Sequence, residues 1–95
     1  MFEWDPRKAE ANAAKHSVSF DDAVTVFLDA KALDGPDLQH SMAELRFLRL
    51  GRAADGHVLM VAYTLRRSGD AETIRLISAR RASRRERATY DDAKD

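Results

Sequence analysis

The residues best suited to chemistry in this chain form an arginine-rich run from Arg75 to Arg87, which holds six arginines and a single acid, Glu86. The formal net charge of the whole chain is zero, so positive charge is concentrated in this run. Arginine suits planar, two-pronged recognition of phosphate. The cluster therefore indicates a surface that contacts RNA or DNA. A solvated strand end and helix face, paired with the acidic first half, is the alternative.

Cleavage of RNA without a metal ion needs a base for the ribose 2′-OH, cations for the charged transition state and a proton donor for the leaving 5′-oxygen. The residues of suitable type and position are Arg80, His16, Lys15, Arg52 and Glu86. Arg80 is expected at a strand end beside the start of the last helix, where backbone N–H groups bind anions. A surface ion pair is the other interpretation of Arg80.

The other four candidates each have a structural alternative. His16 can act as base or acid near neutral pH, with Lys15 holding a phosphate, or both can cap the end of the first helix. Arg52 ends another strand and is expected to share a cleft with Arg80, unless it only flanks a hairpin. Glu86 is either a general base or the acid of a helix capping box with Ser83. Which residue is the base stays open.

Four further residues are expected to bind RNA rather than cleave it. Arg81, Arg84 and Arg85 are predicted to contact the RNA backbone, and Tyr90 to stack on a base or donate a proton, with core packing as the alternative for Tyr90.

No metal or cofactor is expected. The chain has no cysteine, which excludes disulfides and thiolate metal sites. No His, Asp or Glu spacing resembles a zinc or two-metal motif, since His40 and His57 are isolated and Asp34-x-x-Asp37-x-x-His40 falls in a predicted loop. The sequence shows neither a glycine-rich phosphate loop nor a Ser-His-Asp arrangement.

Three helices are predicted to carry these residues. Asp5-Pro6 is typical of a helix start, and alanine-rich sequence continues to Lys15. Ser19 with Asp22 resembles a capping box ahead of an apolar face that ends at Leu28. Ser83 with Glu86 repeats that pattern and begins a final helix that runs to Lys94, with only two alanines facing a core.

Strands are predicted between the second and third helices. Residues 46–52, 57–65 and 72–80 form an antiparallel meander, joined by turns at Asp55-Gly56 and at residues 66–70. Short strands are possible at residues 2–4 and 31–34. Gly35-Pro36-Asp37 indicates a turn, and residues 37–44 a mobile loop. By two-residue alternation, Ile74, Leu76 and Ser78 share a face with Arg80, while Arg81 points to the other face.

The order of elements predicts a single α+β domain over residues 1–95, with two N-terminal helices and a C-terminal helix around a small antiparallel sheet. The longest apolar run, Val58 to Tyr63, is too short to cross a bilayer. The first residues lack the basic and apolar regions of a secretory signal, so a cytoplasmic location is expected.

Short motifs across residues 2–90, taken together in their order and spacing, resemble those of the family of BrnT-like toxins. In the N-terminal half the motifs are Trp4-Asp5-Pro6-x-Lys8, Asn12-x-x-Lys15-His16-x-Val18-Ser19-Phe20 and Ala23-x-x-Val26-Phe27. In the C-terminal half they are Leu50-Gly51-Arg52, Val61-x-Tyr63-Thr64 and Ile77-Ser78-Ala79-Arg80-x-Ala82-x-x-x-Glu86-Arg87-x-x-Tyr90. One departure is Ser17, where the family usually has the glycine of a left-handed helix end.

The resemblance implies the toxin of a type II toxin–antitoxin pair, with a RelE-like fold and a ribonuclease activity that blocks translation. It also implies a BrnA-like antitoxin with a ribbon-helix-helix DNA-binding region, so DNA would be bound only through that partner. The antitoxin is expected to cover the region of Arg52 and Arg80 or the open face of the sheet. Two alternatives stay open: a module that binds RNA, the ribosome or the antitoxin without cleavage, and an inactive remnant that binds only its antitoxin.

Overall fold

The computed structural model of the chain describes residues 1–40 and 44–93. Within these residues, one sheet has the strand order β1-β5-β4-β3-β2. Its strands are β1 (Phe2–Glu3), β2 (Leu33–Pro36), β3 (Arg46–Arg52), β4 (Val58–Ser68) and β5 (Ala71–Arg81). The predicted antiparallel meander is confirmed for β3, β4 and β5. The sheet as a whole is mixed rather than antiparallel, because β1 pairs in parallel with β5.

Helix α1 (Pro6–His16) begins and ends as the sequence predicts. The Asp5 side chain accepts a hydrogen bond from the backbone N–H of Arg7 at 2.9 Å, and Pro6 occupies the first turn. Ser17 ends the helix in the left-handed conformation with φ 58°, and its N–H donates to the carbonyl of Ala13. Serine therefore adopts the backbone geometry that usually selects glycine.

The predicted second helix is shorter than expected. It consists of α2 (Phe20–Val24) followed by a 3-10 turn over Thr25–Leu28. Ser19 caps α2, since its hydroxyl accepts from the N–H of Asp22 at 3.0 Å. The 3-10 turn packs closely on β3, where a Cβ at Gly51 would lie 3.2 Å from the Cβ of Val26. Glycine at this position therefore allows the close approach.

The two faces of the sheet are covered to different extents. One face, called the α1 face here, packs against α1, α2 and the 3-10 turn. The core on this face includes Phe20, Val26, Val61, Leu76 and Ala79. The other face, called the α3 face here, is covered in part by α3 (Arg84–Ala93). The remaining part of the α3 face is not covered by a helix of the described residues and forms a cleft.

A β-bulge in β5 changes the predicted alternation. Ala62 pairs with Ser78 and Tyr63 pairs with Leu76, so Ile77 has no opposite residue on β4. The prediction that Leu76 and Ser78 share a face is therefore wrong, because the extra residue shifts the alternation by one. Leu76 is buried in the α1-face core, whereas Ser78 lines the cleft with Arg80.

Several connections also differ from the sequence prediction. Gly35 and Pro36 belong to edge strand β2 and pair with β3, so the predicted turn begins later, at Asp37. Proline is tolerated there because an edge strand has no neighbour on one side. Of the predicted loop 37–44, residues 41–43 lie outside the described residues, as does the predicted helix end at Lys94. No helix in the described ranges has the length and apolarity needed to span a membrane.

Candidate functional site

The uncovered part of the α3 face contains a cavity of about 310 Å³, called the sheet cleft here. Its floor is made by Leu48, Met60 and Ala62, which come from β3 and β4. Its polar lining comprises Asp37, Gln39, His40, Arg46, Ser78 and Arg80. The sequence candidate Arg80 therefore lies in a concave site with a second arginine and a histidine.

A two-pronged ion pair holds Arg80 in place. Its Nη1 lies 2.7 Å from Oε1 of Glu86 and its Nη2 lies 2.9 Å from Oε2. Oε1 of Glu86 also accepts from the N–H of Ser83, whose hydroxyl accepts in turn from the N–H of Glu86. Glu86 is thus both the capping-box acid and the group that orients Arg80.

The ion pair makes Glu86 a weak base. The hydrogen bond from Arg80 lowers the pKa of the Glu86 carboxyl to about 2, helped by the hydrogen bonds with Ser83 and opposed by partial burial. The same contact raises the pKa of Arg80. A carboxylate with so low a pKa accepts a proton poorly near neutral pH, so this geometry favours an orienting role for Glu86 over a base role.

The start of α3 was expected to converge with Arg80 on a phosphate. In the structure, the carboxylate of Glu86 occupies that position, because it bonds both Arg80 and the N–H of Ser83. Arg84 and Arg85 are exposed in the first turn of α3, outside the lining of the cleft. Arg81 pairs with Leu59 of the α1-face core, so it lies on the face opposite Arg80, as predicted.

His16 and Lys15 line a second cavity of about 250 Å³, called the helix cavity here. Lys8 and Asn12 of α1 also line it. Ile77 and Ser78 line both this cavity and the sheet cleft, so the two cavities are neighbours along β5. The structure therefore brings the His16 pair close to the Arg80 site, with the bulge residue between them.

Arg52 does not join Arg80, and the predicted shared cleft is not found. Arg52 lines a separate cavity with Asp29 and Thr25. Its Nη1 donates to the carbonyl of Gly56 at 2.7 Å, and its guanidinium lies over the ring of Tyr90 at 5.6 Å. These contacts bind the β3–β4 turn to α3, which places Arg52 among the residues that hold the fold.

Tyr90 is a core residue in this structure, with 2% of its surface exposed. It packs against Leu50 and Val58, and its hydroxyl donates to Asp29 at 2.6 Å. That hydrogen bond and burial raise the pKa of Tyr90. Its ring presents no exposed face on which a base could stack, so the predicted RNA contact would require α3 to move. The alternative named in the sequence analysis, core packing, is therefore the one that the structure shows for Tyr90, the buried residue of α3 within Arg84–Ala93.

His40 was set aside in the sequence because it formed no metal motif, yet it lines the sheet cleft with Arg80. Its Nδ1 lies 3.0 Å from Oδ2 of Asp37. The three-residue spacing of Asp37 and His40 was the available signal, since it allows a contact across one turn. Among the described residues, no three His, Asp or Glu side chains come together as a metal site would require.

The chain is similar to known proteins both in sequence and in fold. Residues 4–86 match the family model described as "Ribonuclease toxin, BrnT, of type II toxin-antitoxin system". The fold is similar to the 1.1 Å crystal structure of the Brucella abortus ribonuclease toxin BrnT, with a TM-score of 0.64 and 25% sequence identity over 88% of this chain and 99% of that chain. No curated protein matches the chain.

Proposed function

The chain belongs to the BrnT family of ribonuclease toxins of type II toxin–antitoxin systems, and we propose that it is an endoribonuclease that cleaves RNA without a metal ion and thereby inhibits translation in the cytoplasm. The observation that carries this proposal is the position of Arg80. Its side chain is 44% exposed in the sheet cleft, while the ion pair with Glu86 fixes its orientation. A fixed cation of this kind stabilises charge that develops on a phosphate.

The two neighbouring cavities suggest the path of the RNA. A strand that crosses β5 at Ile77 and Ser78 would contact the sheet cleft on one side and the helix cavity on the other. Lys15 and His16 would then bind the phosphate next to the one held by Arg80. Arg81, Arg84 and Arg85 lie outside both cavities and would attract the RNA backbone at longer range.

The reaction proposed is attack of the ribose 2′-oxygen on the adjacent phosphorus. A new bond forms between the 2′-oxygen and phosphorus, and the bond from phosphorus to the 5′-oxygen breaks. The products are a 2′,3′-cyclic phosphate and a 5′-hydroxyl. Arg80 is proposed to stabilise the negative charge on the phosphate oxygens during this step, and Glu86 to keep its guanidinium in place.

The family implies an antitoxin partner. We propose that this partner is BrnA-like, with a ribbon-helix-helix region through which the complex binds DNA, and that the toxin itself is related to RelE-like ribonucleases. An antitoxin that covers the sheet cleft would block access to Arg80. Protection of the cleft residues from hydrogen exchange in the complex is the expected result, and unchanged exchange there would contradict this placement.

The function is tested by incubating the purified chain with a defined RNA in EDTA and mapping the products. We expect cleavage by the wild type and a rate reduced about 100-fold in Arg80→Ala, comparable to removal of one donor from an oxyanion site. Arg67→Ala is the matched control, because Arg67 also pairs with a glutamate, Glu72, but is 73% exposed at the far hairpin. Arg67→Ala should unfold at the wild-type temperature, and Arg80→Ala should stay folded with a loss of at most about 1 kcal/mol in the free energy of unfolding, since its ion pair is partly exposed.

Binding without cleavage is the competing function. If the wild type leaves RNA intact both free and on translating ribosomes, yet binds it in a salt-dependent way, the chain is a binding module. Cleavage by folded Arg80→Ala at the wild-type rate would instead remove Arg80 from the active site.

A further inference from the structure

We propose that His40, oriented by Asp37, is the general base that removes the proton of the ribose 2′-OH in the sheet cleft. This inference rests on the proposed function, because it assigns the proton acceptor of that same cleavage. It is carried by the position of His40 in one cavity with Arg80 and by the contact of its ring with a buried carboxylate.

The contact with Asp37 holds the imidazole of His40 in one orientation. The Nδ1 atom of His40 lies 3.0 Å from Oδ2 and 3.2 Å from Oδ1 of Asp37. The Asp37 side chain is only 10% exposed, whereas that of His40 is 61% exposed. The carboxylate is therefore the buried anchor, and the imidazole is the accessible group that a substrate can reach.

Backbone hydrogen bonds hold this pair against the sheet. The N–H of Asp37 donates to the carbonyl of Arg46 at 2.8 Å, which ties the turn to the first residue of β3. The N–H of His40 donates to the carbonyl of Asp37 at 3.3 Å and closes the turn. His40 thus reaches the cleft from a short turn anchored to β3, opposite Arg80 on β5.

The contact also determines which nitrogen of the His40 ring carries the hydrogen. A carboxylate only accepts hydrogen bonds, so Nδ1 must carry the hydrogen that it donates to Asp37. In a neutral imidazole the other nitrogen, Nε2, then has the lone pair and can accept a proton. The same division of roles places a histidine as base and an aspartate as its orienting partner in other hydrolytic sites.

The other candidates for the base fit less well. Glu86 has both carboxylate oxygens in hydrogen bonds with Arg80, which makes it a poor proton acceptor. His16 lies at the end of α1 in the helix cavity, beyond Ile77 and Ser78, and does not line the cleft that holds Arg80. His40 alone among the described histidines shares a cavity with Arg80.

In the proposed step, Nε2 of His40 takes the proton from the 2′-hydroxyl as the 2′-oxygen bonds to phosphorus. The electron pair of the breaking bond leaves with the 5′-oxygen, which takes a proton from water or from a second group. Arg80 faces the non-bridging phosphate oxygens. Proton and charge are balanced without any oxidant, reductant or further reactant.

The test compares His40→Gln with His57→Gln, a closely matched control. His57 also places Nδ1 beside an aspartate, at 3.1 Å from Asp55, but lies at the β3–β4 turn outside the cleft. Three measurements are made on each full-length variant: the cleavage rate in EDTA, the affinity for an RNA with a 2′-deoxy nucleotide at the scissile position, and the thermal unfolding midpoint.

We expect His40→Gln to lose about 100-fold or more in cleavage rate, which is the range of general acid–base catalysis. Its affinity for the 2′-deoxy RNA and its unfolding midpoint should match the wild type, and His57→Gln should match it in all three measurements. Asp37→Asn should lower kcat with little change in KM, since an amide can donate to Nδ1 and favour the wrong tautomer. A folded His40→Gln variant with full activity would overturn the proposal.

A substrate with sulfur in place of the 5′-oxygen distinguishes a general base from a general acid. Its leaving group departs as a thiolate and needs no proton, so a variant that has lost only the general acid regains activity on this substrate. His40→Gln should stay defective on this substrate, and recovery would overturn the base assignment while leaving the ribonuclease function intact. Absence of cleavage by the wild type on every RNA would instead reject the ribonuclease function, and the role of His40 with it.

Discussion

The side chain of Asn12 pairs with both backbone groups of Ala79, as a neighbouring β-strand would. Its Nδ2 donates to the carbonyl of Ala79 at 2.8 Å, and its Oδ1 accepts from the N–H of Ala79 at 3.0 Å. Nδ2 also donates to the carbonyl of Val18 at 3.0 Å. One buried amide therefore joins α1, the segment before α2 and the edge of β5 next to Arg80.

Removal of this amide should destabilise the fold strongly. Asn12→Ala leaves the N–H and carbonyl of Ala79 and the carbonyl of Val18 without partners in a buried place. We expect a loss of about 2–4 kcal/mol in the free energy of unfolding, measured by urea denaturation. Asn12→Asp is the matched variant. Its carboxylate can still accept from the N–H of Ala79 but faces the carbonyls of Ala79 and Val18 without a hydrogen to donate, so it should also be less stable than the wild type. A loss below about 0.5 kcal/mol in Asn12→Ala would contradict this account.

Glu86→Gln separates the capping of α3 from the orientation of Arg80. Glutamine can still accept from the N–H of Ser83, so the helix start is kept. It cannot form the charged pair with Arg80, so the cleavage rate should fall while the helix content by circular dichroism is unchanged. Unchanged activity would mean that Arg80 needs no ionic partner.

The same variant predicts a pH dependence of stability. Folding lowers the pKa of Glu86 to about 2, so its ionised form stabilises the folded state at pH values above the ordinary glutamate pKa of about 4.3. This stabilisation is lost as the pH falls through the pKa that Glu86 has in the folded state. The free energy of unfolding of the wild type should thus exceed that of Glu86→Gln by at most about 1 kcal/mol near neutral pH, since Arg80 is partly exposed. The difference should shrink between about pH 4.5 and pH 2, and a constant difference would argue against the ion pair.

Ser17→Gly should stabilise the protein. Ser17 has φ 58°, a conformation that costs a residue with a Cβ about 1–2 kcal/mol. Glycine relieves this cost but loses more entropy on folding, so a net gain of about 0.5 kcal/mol is expected. Thermal unfolding measures the change. Ser68→Gly, at the end of β4, is the control and should not raise the unfolding midpoint.

The sequence predicted those parts of the fold whose signals are local. Asp5 and Pro6 mark the start of α1, alternating residues mark β3, and a continuous apolar run marks β4, because caps and short patterns depend on neighbours in the chain. The parallel pairing of β1 with β5 was not predicted, since it joins residues more than 70 positions apart. No short pattern encodes a contact at that separation.

The site was predicted unevenly for the same reason. Arg80 was predicted beside the start of α3, and Glu86 in the capping box with Ser83, so both were placed at the same helix start. Their ion pair was not predicted. The spacing of Asp37 and His40 allows their contact, but the position of the pair in the cleft depends on a turn that folds back onto β3, which spacing does not show. The burial of Tyr90 depends on Asp29 and Leu50, which are distant in the chain. Long-range packing therefore decides which of the plausible chemical residues can meet.

The bulge at Ile77 gives this part of β5 one residue more than the facing part of β4. We expect deletion of Ile77 to leave a regular strand in which Leu76 still faces the core and Arg80 still faces the cleft. Deletion of Ala79 leaves the same number of residues between Leu76 and Arg80, so a regular strand would again turn Arg80 toward the cleft, with Ile77 beside it in place of Ser78. The bulge thus makes the direction of Arg80 tolerant of the loss of one residue, and such a loss changes only which side chain lies next to the arginine.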